Sequence, residues 1–216
     1  MAMKCGIVPV TAYQQNCSIF VCEESGAAAV VDPGGDIEQI EAGLEQLGGK
    51  LDKILLTHGH MDHCAAADVL RQKYGVPIIG PHKDDAFWID QLPKWCEMTG
   101  FPRAEAFTPD QWLNEGDTVE LGKHTFDVRH CPGHTPGHVI FFNKDMKVAM
   151  VGDVLFQGSI GRTDFPRGDH DTLIQSIQDK LWPLGDDVTF IPGHGPTSTF
   201  GHERQTNPFV ADTRFG

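Results

Sequence analysis

No stretch of this sequence stays apolar for long. The longest unbroken run, Ala27 to Val31, is five residues, against the roughly 20 that a membrane-crossing helix needs. The opening MAMKCGIVPV carries one lysine and no apolar segment of export-signal length. The expectation is a soluble, cytoplasmic protein with no membrane partner. Positive charge is also scarce: 17 Lys and Arg stand against 30 Asp and Glu, a net charge of −13. No basic cluster offers a face to nucleic acid, and no block of five or six like charges forms a tail. The six cysteines, Cys5, Cys17, Cys22, Cys64, Cys96 and Cys131, include no C-x-x-C pair. They read as reduced thiols, mostly small buried hydrophobes. No repeat of fixed period and no linker divides the chain, so a single domain over 1–216 is expected.

What is present suits that reading. With 216 residues, 40% apolar and 22% charged, one core can bury roughly 70–75% of the unfolded surface without a disulfide or structural metal. The 24 glycines and 14 prolines predict short strands joined by many turns. Three strands are expected at Lys4–Val10, Cys17–Cys22 and Ala27–Val31, then a helix over Asp36–Leu47 with Ile37, Ile40, Leu44 and Leu47 on one face. Asp36 and Gln39 match a capping box, and Gly48-Gly49 a helix stop. Strands at Lys53–Thr57 and Val76–Gly80 bracket a helix over Ala65–Tyr74. From Pro81 to Trp112 one helix is expected, around Asp84–Gln91. The second half reads as strands Thr118–Leu121, Thr125–Cys131, His138–Asn143, Lys147–Val151 and Asp187–Ile191, a helix over Thr172–Trp182, and one short helix in the tail. Strands with helices in both halves suggest two packed sheets with helices outside.

Four apolar strands end alike: ILLT before His58, DVRHCPG before His134, VAMVG before Asp153 and TFIPG before His194. Each delivers a histidine or aspartate from a turn, and loops at one edge of a rigid sheet are where sites are built. The segment His58-x-His60-x-Asp62-His63 concentrates four ligand-type side chains in six residues; chance would supply roughly 0.003 such segments per chain of this composition. His58 and His60, at i and i+2, point one way, while Asp62 and His63, entering a helix, turn toward another. Five histidines and two aspartates without a cysteine suit an open catalytic site rather than a closed structural one. Seven ligands exceed one tetrahedral ion. They divide if His58, His60 and His134 hold one ion, Asp62, His63 and His194 a second, and Asp153 bridges them around a shared hydroxide. Zinc fits this donor set, as do iron and manganese.

These motifs, THGHMDH at 57–63, CPGHTPGH at 131–138, GD at 152–153 and PGHG at 192–195, resemble the metallo-β-lactamase superfamily over nearly the whole chain. The VDPGGD, GRTDFPRGD and IPGHGP stretches are similar to the short bacterial glyoxalase II-like (hydroxyacylglutathione hydrolase-like) branch. The resemblance implies an αββα four-layer sandwich with two divalent metal ions. It also implies hydrolysis of a small-molecule thioester such as S-D-lactoylglutathione, a step of methylglyoxal detoxification. Lactamases of the superfamily typically place a cysteine at the position of Asp153, and the carboxylate points instead to ester, thioester or phosphodiester hydrolysis. Longer glyoxalase II enzymes match only to about His194 and then add a helical glutathione-binding domain. That domain is not expected in the 22 residues after His194, and the aromatic residue those enzymes carry after the last ligand is replaced by Gly195-Pro196. The GRTDF stretch also resembles the persulfide dioxygenases, which hold a single iron on the positions of His58, His134 and Asp153. A non-catalytic metal-binding protein is the third reading.

In the hydrolase reading Asp62 is the catalytic carboxylate that steers a proton. Arg162 is the candidate substrate-binding cation, set against a structural pairing with Asp164 or Asp169. His138 is expected to orient a ligand, and His170 to face the site or solvent with equal weight. Cys64 is expected to pack on its helix, Trp88 and Trp95 to form core or lid, and Asp32 to serve a hydrogen-bond network. The chain is expected to act as a monomer.

Overall fold

Strands that are apolar at almost every position must be covered on both faces, and that is where the central strands lie in the computed structural model, which describes residues 2–214. The first sheet runs in the order β1 (Met3–Val10), β2 (Gln15–Cys22), β3 (Ala27–Val31), β4 (Lys50–Leu55) and β5 (Ile78–Ile79). Its first three strands are antiparallel, and β3, β4 and β5 are parallel, with Val30 opposite Ile54. The second sheet is built from β6 (Thr118–Leu121), β7 (His124–His130), β8 (Val139–Asn143) and β9 (Val148–Gly152). A hairpin of β10 (Leu155–Phe156) and β11 (Ser159–Ile160) follows, and then β12 (Thr189–Pro192) and β13 (Ser198–Thr199) complete that sheet in the order β13-β12-β9-β8-β7-β6. In it β12 runs parallel to β9.

Three apolar layers hold these parts together. Phe20, Val31 and Leu55 of the first sheet meet Phe126, Phe141 and Met150 of the second, forming the core between sheets. The outer face of the first sheet is covered by α1 (Ile37–Leu47) and α3 (Ala67–Tyr74), which follows the single turn α2 (Met61–Cys64). Two helices, α4 (Ala86–Asp90) and α5 (Leu92–Thr99), pack beside them. On the outer face of the second sheet lie α6 (His170–Ser176), the π-helical turn Ile177–Leu181 that continues it, and α7 (Phe200–Thr206). This is the expected αββα order. Among the described residues no helix is long and apolar enough to cross a membrane.

Local departures from expectation have local causes. Asp36 does not close a capping box: it sits at φ 47° with no side-chain cap bond, because its carboxylate instead accepts the Thr11 N–H at 2.6 Å. The stop is as expected, with Gly48 left-handed at φ 71°. The helix expected over Ala65–Tyr74 is α3, Ala67–Tyr74, preceded by the unexpected single turn α2 over the ligand segment, and α5 occupies a stretch that carried no clear periodicity. The strand expected over Val76–Gly80 is only Ile78–Ile79; the flanking Pro77 and Pro81 cannot donate to a ladder.

Candidate metal centre

The carboxyl ends of β4, β9 and β12 and the β7–β8 turn open on one edge of the sandwich, and each supplies part of one constellation. His58 follows β4, His60 precedes α2, and Asp62 and His63 lie on it. Asp153 follows β9 directly and His194 follows β12. All seven predicted residues converge. Donor atoms of His58, His60 and His134 lie within 4.8 Å of one another, and so do those of Asp62, His63 and His194. Asp153 stands against both sets: one carboxylate oxygen is 3.4 Å from His63 Nε2, the other 3.5 Å from His134 Nε2 and 3.8 Å from His194 Nε2. Asp62 lies 3.2 Å from His194 Nε2. Gly193 makes this approach possible, since a Cβ there would fall 2.1 Å from Asp153 Oδ1.

Hydrogen bonding fixes which ring nitrogens face inward. His134 Nδ1 is 2.7 Å from the Arg162 carbonyl, which can only accept, so Nδ1 carries the proton and Nε2 a lone pair. His194 Nδ1 likewise meets the Tyr13 carbonyl at 3.2 Å. His63 Nδ1 is held at 2.9 Å by Asp32, whose carboxylate also accepts the Thr57 N–H and hydroxyl. The Thr57 oxygen in turn takes the proton of His58 Nδ1, at 3.0 Å. His58 Nε2 and His134 Nε2 are therefore left with lone pairs 3.1 and 3.0 Å from His60 Nδ1, with no proton of their own to place there. His63 Nε2 and Asp153 Oδ1, buried and facing each other, have no hydrogen-bond partner. Converging lone pairs and carboxylates repel unless a cation lies between them. A divalent metal in each set would give these atoms a partner, and nitrogen and carboxylate donors without thiolate suit a catalytic ion. Asp32 is thus the network residue expected, in the role of orienting a ligand.

Electrostatics agree. Burial and the surrounding imidazoles hold His58 well below the usual histidine range. Burial opposes charge on His63 as well, but the carboxylates of Asp153 and Asp62 outweigh it and raise its pKa. Burial would raise Asp153, yet His63, His134 and His194 bring it far below the usual carboxylate range. Burial likewise opposes charge on Asp62, but His63 and His194 lower its pKa, so both carboxylates are ionised and available to a cation.

Around the seven, His138 stacks on His58 at 4.6 Å and its Nε2 accepts the Asp153 N–H, as a ligand-orienting residue should. Asp85, which sequence reasoning did not single out, is fully buried and accepts the Gly59 and Gly137 N–H groups and the Thr135 hydroxyl. It ties the His58–His60 turn to the His134 turn; Lys83-Asp-Asp carries no signal of this in the sequence. Burial pushes its carboxyl up to about 7, against the pull of those three donors. Cys64 is buried in the helix layer as expected. His170 is exposed at the start of α6. Arg162 borders the centre's cavity, but its guanidinium is bonded twice to Asp164, at 2.9 Å each, and lies over Phe165. Trp88 and Trp95 line the same cavity.

Comparison with known proteins agrees with this geometry. The description of the metallo-beta-lactamase superfamily matches residues 10–204. Hydroxyacylglutathione hydrolase GloC of Haemophilus influenzae is 50% identical over 209 residues, covering 96% of this chain and 98% of that one. A solved structure described as BLEG-1 B3 metallo-beta-lactamase is 36% identical with a TM-score of 0.88, covering 96% of this chain and 99% of that one. TTHA1623, solved in a di-iron-bound form, is 33% identical with a TM-score of 0.86, covering 95% and 100%.

Proposed function

The chain belongs to the metallo-β-lactamase superfamily, and we propose that it is a hydrolase of that superfamily acting on thioesters of the hydroxyacylglutathione type, S-D-lactoylglutathione among them. The observation that supports this most is the Asp153 carboxylate lying within 3.5 Å of a nitrogen from each trio. His58, His60 and His134 would hold one divalent ion, Asp62, His63 and His194 the other, with Asp153 shared. Two such ions, when bound, supply Lewis acidity and water that is ionised near neutral pH.

The remaining work falls to the chain. Water adds to the thioester carbonyl carbon, the C–S bond breaks, and a carboxylic acid and a thiol leave. Asp62, ionised and partly open to solvent beside His194, takes the proton that the water gives up. A thiol with a pKa near ~8.5 departs as thiolate with little help. Arg162, on the cavity rim, meets a carboxylate of the thiol moiety. We assign zinc as the resident metal, with iron the alternative because the di-iron relative is 33% identical. One hydrolase domain acting as a cytoplasmic monomer completes the reading.

The test is a direct comparison of S-lactoylglutathione with a chromogenic β-lactam on metal-replete protein. It is pointed because one relative is described as a lactamase. The thioester should be turned over far faster; a β-lactam handled as well or better overturns the assignment.

A further inference from the structure

The metal-side residues occupy one end of a cavity of about 510 Å³, several-fold larger than a three-carbon acyl group. Its wall against the first trio is hydrocarbon. The Trp88 ring is 4.4 Å from the His60 ring, Trp95 is 5.0 Å from Trp88, and Phe165 is 4.9 Å from His60. Leu92 lines the same space. Both indole nitrogens are shielded from solvent and have no partner, so what the tryptophans offer the cavity is carbon. Among the described lining residues Arg162 is the sole lysine or arginine, and Asp164 already holds it.

Such a wall cannot desolvate a carboxylate or a hydroxyl without leaving it unpaired. A charged thiol moiety therefore stays at the wet rim, and the part of the acyl group that reaches past the polar lining of Tyr13, Thr99 and Ser159 lies against hydrocarbon. Resting on the thioester-hydrolase reading above, we propose that the wall of Trp88, Leu92, Trp95 and Phe165 is an acyl subsite, and that the preferred substrates are thioesters of medium-chain or phenyl-bearing acyl groups.

The experiment measures kcat/KM for the acetyl, butyryl and hexanoyl thioesters of N-acetylcysteamine, a neutral thiol that takes Arg162 out of play, with metal content determined on the same sample. Each methylene buried against hydrocarbon should multiply kcat/KM by about two- to fourfold, so hexanoyl should exceed acetyl by about 16- to 250-fold. Trp95→Ala should cut that ratio at least fourfold, while Trp95→Phe keeps most of it. Phe165→Ala, in a half-exposed loop, gives a second reading of the ratio should Trp95→Ala fold poorly. If the acetyl thioester is hydrolysed but the series is flat or falling, the subsite is wrong and the hydrolase reading stands. If folded, metal-replete protein hydrolyses S-lactoylglutathione but no thioester of the series, the subsite falls and the hydrolase reading stands; if it hydrolyses neither, both fall.

Discussion

Asp153 lies 8% exposed against the imidazoles of His63, His134 and His194, and their pull outweighs burial and holds it ionised. If it is the shared ligand, Asp153→Ala should weaken both ion affinities. His194→Ala should mainly empty the set of Asp62 and His63. Chelator-competition titrations of the two variants check this; loss of a single ion by Asp153→Ala, with the other affinity unchanged, contradicts the shared role. Arg162 calls for a smaller effect than an unpaired cation would give, because Asp164 competes for it in an exposed position. Arg162→Gln should raise KM for an anionic thioester about two- to fivefold and spare kcat, since the contact is remote from the reacting carbon. Steady-state kinetics at fixed ionic strength read this, and an unchanged KM leaves Arg162 a purely structural residue. The convergence of His58, His60, Asp62, His63, His134, Asp153 and His194 was legible in the sequence because each stands in a short motif at the end of an apolar strand. Asp85 was not legible: its role is made by donors from residues 59, 135 and 137, which no local pattern joins.

At the scale of elements, Asp85 couples the turn before α2 to the turn before β8. Its native carboxyl keeps a proton up to about 7, whereas in the unfolded chain it ionises near ~4. Between those values the native state binds the extra proton, so this group's contribution to stability falls as pH rises from about 4 to 7 and is level above. Asp85→Asn removes that slope. Relative to the parent, the variant should gain up to about 1.4 kcal/mol per pH unit between pH 5 and 7, read by urea unfolding with metals chelated from both proteins. Parallel pH profiles would show that the carboxyl is ionised throughout. Elements with strong periodicity, such as β3 and α1, emerged from the sequence nearly to the residue. The Asp36 cap did not, because a tertiary acceptor's duty to Thr11 outcompeted the local bond. Helix α5 was hidden by Pro93, which is harmless in a first turn but reads as a breaker from the sequence.

At the scale of the molecule, the four layers were implied by strand runs with helices in each half, and the middle core of Phe20, Phe126 and Phe141 realises them. Trp88 and Trp95 were expected as core or lid, but their joining with Phe165 into one cavity wall was hidden from the sequence. Trp88, Trp95 and Phe165 lie far from the ligand motifs along the chain, and only packing of α4, α5 and the loop before α6 brings them to His60. Both sheets must close for the two trios to meet, because His58, His60, Asp62 and His63 come from one half and His134, Asp153 and His194 from the other. The most direct measurement titrates metal-free protein with zinc, following bound metal and thioester hydrolysis on the same samples. Two ions per chain, with hydrolysis reaching its maximum as the second binds, is the predicted result. A firm ceiling of one ion per chain, with full activity or with oxygen uptake on glutathione persulfide, would contradict it.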